Sequence, residues 1–385
     1  MKTNVSAERL TSQLVIKVND LKAGMKFDAP VVFEGENMFA APGVPVRSRD
    51  IERLKRLGVS TVVTMGNLLP ETTGQEGQTL RLFYMQKAEG KCLREYRELL
   101  KRLSKVFEDI RKRQRSDREE IAGLANAIYR IVKDEPNQMV QIVHNMANSG
   151  DDLASGALAC AIISTVMGLI KRIYGHELLK LTTAAMLHDV GMLRIPDSIR
   201  LKKGKLSAGE KDVVKTHPAI SDSIIVKELG LSPEMGDVAL SHHERWDGQG
   251  YPRRLKATEI LDFAELVSVS DAYTALLYRK PYRQHLLGYD AVKAILRDVN
   301  TLYSPEMVSL LLKSVGIYPV GSFVLLNDYS IGRVAEKHVS APLRPIVEIL
   351  VDKYGRKIEP SREVDLGSEE FLFIQKAIDP EDVLV

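Results

Sequence analysis

Eighteen consecutive residues, Leu153–Ile170, carry no charge. A helix that is apolar on every face must be enclosed, so this run demands either a helical bundle built around it or a membrane. Ser155, Gly156, Ser164, Thr165 and Gly168 dilute its hydrophobicity, which favours the central helix of a bundle. No other segment approaches a membrane span, and Met1-Lys2-Thr3-Asn4 opens no apolar signal core. A cytoplasmic protein without membrane attachment is therefore expected. Cys92 and Cys160, too few for a disulfide framework, suit a reducing compartment.

A chain of 385 residues should hold two or three domains. Residues 1–66 read as a small α+β domain: alternation at Gln13–Val18, short apolar runs at Val31–Phe33 and Val59–Val63, and a helix Arg49–Leu57 with Ser48 as its cap. Polar, glycine-rich residues 67–78 read as a linker. Residues 79–148 read as a long helical connector. Its apolar positions, Leu82, Met85, Cys92, Tyr96, Leu99, Leu103, Val106 and Ile110, recur at three- and four-residue steps. That stripe suits a parallel homodimer or packing against its own domain. Residues 149–317 form the helical domain. Residues 318–385 form a β-rich extension, with strands expected at Phe323–Leu326, Ile346–Val351 and Phe371–Ile374. The fold class is mainly α, a helical bundle flanked by these two small units.

Chemistry concentrates in the helical domain. His188 and Asp189 end a helical run, Leu178–Leu187. In such a pair the imidazole nitrogen and one carboxylate oxygen can approach one metal while the second oxygen bridges to another. His217, the adjacent His242 and His243, and Asp271 supply further ligand types suited to first-row divalent ions. Gly248 and Gly250 permit a tight loop, Pro252 stiffens it, and Tyr251 offers an aromatic face and a hydroxyl. A net charge of +3 is too small to indicate a nucleic-acid partner.

The segments Leu187-His188-Asp189-Val190-Gly191 and His242-His243-Glu244-Arg245-Trp246-Asp247-Gly248-Gln249-Gly250-Tyr251-Pro252 resemble the HD-GYP family. So do Ile195-Pro196-Asp197, Lys203-Gly204-Lys205-Leu206-Ser207 and the positions of His217 and Asp271. The resemblance runs from about residue 150 to about residue 315. It implies an HD-type helical bundle and a metal-dependent phosphodiesterase that opens cyclic di-GMP to pGpG and on to GMP. It implies His188, Asp189, His217, His242, His243 and Asp271 as ligands of two divalent transition metals, iron or manganese, with Asp189 also catalytic. Tyr251, Lys280 and Arg283 are implied as substrate contacts, and the Gly-Tyr-Pro loop as a surface for a partner protein. The opening of the first unit, Val18–Met25, and the β-rich tail also look like companions of this family.

The pattern breaks at two positions. The family places a metal-binding histidine where this chain has Gly156, and a lysine after His-Asp-x-Gly where it has Met192. Asp152, one helical turn before Gly156, stands where some members carry a glutamate ligand, and His144 is a more remote substitute. The family's Arg-Pro-Tyr becomes Lys280-Pro281-Tyr282, and lysine cannot reproduce a bidentate arginine contact. The expectation is a phosphodiesterase of reduced or altered activity. The alternative is a degenerate member acting as a cyclic di-GMP sensor or protein-interaction module.

Overall fold

The computed structural model describes residues 13–34, 37–40, 42, 46, 48–69, 90–114, 118–146, 153–278, 286–338, 340–353 and 356–379. The chain divides into two compact units. One comprises Met1–Lys87, Phe323–Arg333 and Ile346–Val385; the other comprises Ala88–Ser322 and Val334–Pro345.

The first unit contains β1 (Leu14–Lys17), β2 (Val31–Phe33), β3 (Asn37–Ala40), α1 (Ser48–Arg56) and β4 (Thr61–Thr64). The strands pair antiparallel in the order β1-β4-β2-β3, over a core that includes Val18, Phe27, Leu54 and Val62. A second antiparallel sheet is built from β5 (Phe323–Leu326), β6 (Ile331–Glu336), β7 (Ile346–Val351), β8 (Lys357–Asp365) and β9 (Ile374–Ile378), ordered β8-β7-β6-β5-β9. The strand expected at Phe371–Ile374 is displaced. Phe371 is 81% exposed, and pairing with β5 begins only at Ile374, whose side chain turns inward with that of Ile378. Strand β8 gives no sequence signal because it is a charged, largely exposed edge containing Pro360.

The second unit is the helical bundle. Its helices are α2 (Lys91–Arg111), α3 (Arg118–Asp134), α4 (Pro136–Met146), α5 (Leu153–Ile170) and α6 (Gly175–Leu187). They continue as α7 (Asp197–Arg200), α8 (Ala208–Val214), α9 (His217–Ser223), α10 (Pro233–Ser241), α11 (Asp262–Leu277), α12 (Gly288–Arg297) and α13 (Pro305–Val315). The charge-free run is α5, and it packs against α2, α3, α4, α6, α11 and α13. Some 78% of its most apolar stretch is buried inside the protein, so its surface is spent on helix contacts rather than lipid. Its small residues let neighbours come close: a side chain at Gly168 would meet Leu178 Cδ1 at 2.5 Å. Thr165 Oγ1, donating to the Ala161 carbonyl at 2.6 Å, also lies 2.8 Å from Thr182 Oγ1 and ties α5 to α6.

The apolar stripe on the long helix packs against its own domain, one of its two expected readings. Tyr96, Leu99, Leu103, Val106 and Ile110 of α2 are buried in the core that also holds Leu158 and Ile162 of α5. Burial of one such side chain is worth about 1.5–3 kcal/mol, so the stripe is already satisfied within its own chain. Residues 91–146 are therefore part of the bundle rather than a connector before it. Leu82 and Met85 lie outside the described residues.

Candidate metal centre

Three histidines stand at helix C-termini, where the last carbonyls lack helical partners. His188 caps α6, and its Nδ1–H donates to the Ala185 carbonyl at 2.7 Å. His217 follows α8 and donates to Val214 at 2.7 Å. His242 caps α10 and donates to Ala239 at 2.6 Å. In each case the carbonyl lies three residues upstream. A carbonyl can only accept, so all three rings hold their proton on Nδ1 and present the Nε2 lone pair forward.

Those lone pairs converge on carboxylates. His217 Nε2 is 3.0 Å and His242 Nε2 3.6 Å from Asp189 Oδ1, while His188 Nε2 is 3.8 Å from Asp189 Oδ2 and 3.4 Å from Asp271 Oδ1. The nitrogens of His217 and His242 approach each other to 3.4 Å. Two sets of donor atoms result, each with all members within 4.8 Å of one another: Asp189, His217, His242 and His243, and His188, Asp189 and Asp271. Asp189 belongs to both. His188 Nε2 and Asp189 Oδ1 are buried without a hydrogen-bond donor. Buried acceptors facing acceptors are costly unless a cation lies between them. The residues therefore fit divalent metal, with the Asp189 carboxylate common to both sets of donor atoms.

Burial works against ionising Asp189, but His188 and His217 in their protonated forms hold its carboxyl well below the usual carboxylate range, and Asp189 in turn raises both imidazoles against burial; a divalent ion would displace those Nε2 protons and take over the same charge. Burial, reinforced by His242 and His217, holds His243 well below the usual imidazole range, in its neutral, ligating form. Gly191 makes the arrangement possible. A Cβ there would sit 2.1 Å from the His217 carbonyl oxygen, and the Gly191 N–H donates to Ser221 Oγ at 2.8 Å. The glycine after His-Asp thus lets α9 carry His217 up to Asp189.

The loop after His243 is tied down from below. Glu244 is buried, and its two carboxylate oxygens accept from the backbone N–H groups of Arg253 at 2.7 Å and Leu255 at 3.0 Å. Gly250 passes so close to Glu244 that a Cβ would lie 2.5 Å from the Glu244 Cα. The Tyr251 N–H donates to the His243 carbonyl at 3.2 Å, and the Tyr251 ring stacks on the His243 ring with centroids 4.9 Å apart. The Lys215 ammonium lies 5.7 Å from the Tyr251 ring centre. Tyr251 thus covers a ligand-type histidine and faces a cation.

A cavity of about 210 Å³ opens beside His188, Asp189 and Asp271. Gly156 and Met192, which stand in place of the family's histidine and lysine, line it, and so does Arg200. A Cβ built on Gly156 meets no atom within 4 Å.

The six histidine and aspartate positions singled out in the sequence therefore meet around Asp189. Asp152, Lys280 and Arg283 lie outside the described residues. His144 is no substitute ligand: it is half-buried elsewhere in the bundle, with its Nε2 2.5 Å from the Tyr273 hydroxyl, and loss of solvation lowers its pKa to about 4. Sequence reasoning missed Glu244 and Arg200. The signal for Glu244 was a charged residue directly after two histidines in an otherwise loop-like stretch. For Arg200 no local signal existed, because only the tertiary fold brings α7 to the cavity.

A family model described as an HD domain matches residues 126–307, and one described as a KOW domain associated with HD domain matches residues 323–384. The cyclic di-GMP phosphodiesterase PA4108 of Pseudomonas aeruginosa is 31% identical over 68% of this chain and 63% of its own length. A cyclic di-GMP phosphodiesterase of Thermotoga maritima is 41% identical over 34% of this chain and 36% of its own. The matched region thus spans less than two thirds of either relative. Among solved structures, Bd1817, an HDG"Y"P protein from Bdellovibrio bacteriovorus, aligns with 78% of this chain and 99% of its own at 17% identity and a TM-score of 0.48. With the His-Asp and Gly-Tyr-Pro elements at matching spacing and five ligand-type side chains gathered around the Asp189 carboxylate, the chain is a member of the HD-GYP family.

Proposed function

We propose that this chain is a metal-dependent phosphodiesterase that opens cyclic di-GMP to pGpG, and on to GMP, at a reduced rate. One observation carries the reading: a single half-buried carboxylate, Asp189, is shared by two sets of metal-ligating atoms. Two divalent first-row ions, iron or manganese, would supply an activated water and charge neutralisation for in-line phosphoryl displacement. The chain's own residues do the rest. His217, His242 and His243 with Asp189 form one ligand set; His188, Asp271 and the other side of Asp189 form the second. Asp189 holds the two sets in register and is the catalytic carboxylate. Tyr251, stacked on His243 and near Lys215, offers a face for a guanine base. On the sequence reading, Lys280 and Arg283 add cationic contacts to the phosphates.

The second set is the poorer one. It has three donors, and the imidazole that the family supplies is replaced by Gly156. Its ion is therefore the more weakly held. Met192 has no proton or charge to offer a leaving oxygen. Those two losses on one cavity wall favour slow turnover, and they are also the ground for the alternative reading. In that reading the protein binds cyclic di-GMP without turnover and engages a partner protein through residues 247–255. A cytoplasmic location accords with free, buried Cys92 and Cys160.

The test is anaerobic purification and reconstitution with Fe(II) or Mn(II), elemental analysis, and chromatography of the products from cyclic di-GMP. Up to two ions per chain and slow appearance of pGpG are expected. Binding of the dinucleotide without product would select the alternative. Neither metal uptake nor dinucleotide binding would overturn both readings.

A further inference from the structure

We infer that Arg200 binds a phosphoryl group of the substrate, on the cavity wall where Met192 has removed the family's lysine. The inference rests on the phosphodiester reading above and deepens it. Arg200 ends the short helix α7, and it lines the same cavity as Met192, His188 and Asp189.

Two Lys or Arg side chains line that cavity among the described residues, Arg200 and Lys202. Their states differ. The Lys202 ammonium lies 2.7 Å from both carboxylate oxygens of Glu210, which also closes the N-terminal turn of α8 with Ser207. Its charge is matched and its position is structural. The Arg200 guanidinium is only partly engaged. Its Nη2 donates to Asp197 Oδ1 at 2.7 Å, but Asp197 also accepts from Arg111, so one carboxylate serves two guanidiniums. The Arg200 Nε–H is buried with no acceptor. Its side chain is only 17% exposed, so water does not easily make up the deficit. A buried N–H of a charged group left unpaired is costly, because it has given up water without gaining a partner. An anion entering the cavity would relieve that cost, and guanidinium matches phosphate with two parallel N–H groups. The cation lost at residue 192 is thus resupplied from α7, which lines the same cavity, as a binding group rather than a proton donor.

The experiment compares the metal-reconstituted wild type with Arg200→Leu, Arg200→Lys, Asp197→Asn and the double variant Arg200→Leu/Met192→Lys. Cyclic di-GMP is the substrate, bis(p-nitrophenyl) phosphate is a generic phosphodiester, and inorganic phosphate is a competitor. Hydrogen bonds to charged groups set the scale: Arg200→Leu should raise KM for cyclic di-GMP at least about tenfold. It should weaken phosphate competition in parallel, with metal content and thermal midpoint unchanged. Arg200→Lys should recover part of the loss, and Met192→Lys should recover it in the Arg200→Leu background. Asp197→Asn, which removes the ion pair but keeps the guanidinium, should leave KM within about twofold of wild type. An unchanged KM and unchanged phosphate competition in Arg200→Leu would overturn the inference. So would an equal loss in Asp197→Asn, which would make Arg200 a structural brace. If wild type does not act on cyclic di-GMP yet phosphate competition against the generic diester still depends on Arg200, the inference stands and the substrate reading fails.

Discussion

The bundle holds two kinds of histidine, and the difference between them locates the chemistry. His188 is buried among helices and His144 half-buried. His144 has its Nε2 satisfied by the Tyr273 hydroxyl and has no carboxylate partner, so burial alone acts on it and keeps it neutral. His188 has its Nδ1 satisfied by a backbone carbonyl, and its Nε2 points without a donor at Asp189 and Asp271. The first pattern is that of a completed core. The second is incomplete without a cation. Sequence proximity to the charge-free helix made His144 a candidate ligand, but hydrogen-bond bookkeeping excludes it.

The largest expected effect tests whether Asp189 bridges both ligand sets. Asp189→Asn keeps the shape but removes the charge that the lone pairs converge on. Loss of an outer-shell partner typically costs about 10–100-fold in metal affinity or activity, and a shared inner ligand should cost more. Elemental analysis should show both ions depleted. Retention of one ion at full occupancy would mean that the two sets are independent. His144→Gln, by contrast, should leave metal content at the wild-type level.

Next in size is repair of the cavity wall. The space beside Gly156 is open to a Cβ, and a glycine inside a helix already costs about 1 kcal/mol relative to alanine. Gly156→His should therefore fold and tighten the weaker ion, and Met192→Lys restores a proton donor. A positioned acid contributes roughly a hundredfold or more, so the double variant should gain turnover on that scale. A wild type as fast as intact relatives, with no gain on repair, would show that the two departures are already compensated.

The completed histidine gives a smaller, purely thermodynamic signal. The pKa of His144 is about 4 in the native protein against the ordinary imidazole value of about 6.5. Between those values the unfolded chain binds more protons than the native one, so stability rises with pH. The contribution is complete above about pH 6.5 and is lost as pH falls through about 4, amounting to at most about 3 kcal/mol. Urea midpoints measured at pH 7 and pH 4.5 should differ more for wild type than for His144→Gln. Equal differences would mean that His144 does not stay neutral.

The smallest effect concerns the loop. Glu244→Gln turns one of the two acceptors for the Arg253 and Leu255 N–H groups into a donor. Leaving one N–H unpaired costs about 1–3 kcal/mol. The thermal midpoint should fall accordingly with metal content preserved. A loss of metal instead would place Glu244 in the centre's electrostatics rather than in the loop's anchorage.

Much of this molecule was legible in its residues. The charge-free run could only be a helix enclosed on all sides, and α5 is that helix. The adjacent His-Asp and His-His pairs, with His217 and Asp271 at matching distances, marked a metal centre because few folds other than one built around it need those side chains together. Strands β2, β5 and β7 were readable because they are apolar on at least one face. Other features were decided only in three dimensions. The stripe on α2 suited a second chain or its own bundle equally well, since periodicity reports an apolar face and not what covers it. Edge strand β8 is charged and two-sided, so it carries no alternation to read. The tautomers of His188, His217 and His242 follow from carbonyls exposed at three separate helix ends, and the cation that shares a cavity with Met192 comes from a helix that only the folded chain brings there. Local sequence specifies which side chains exist and how each helix faces. Only packing decides which lone pairs and charges are left without a partner, and the chemistry is set there.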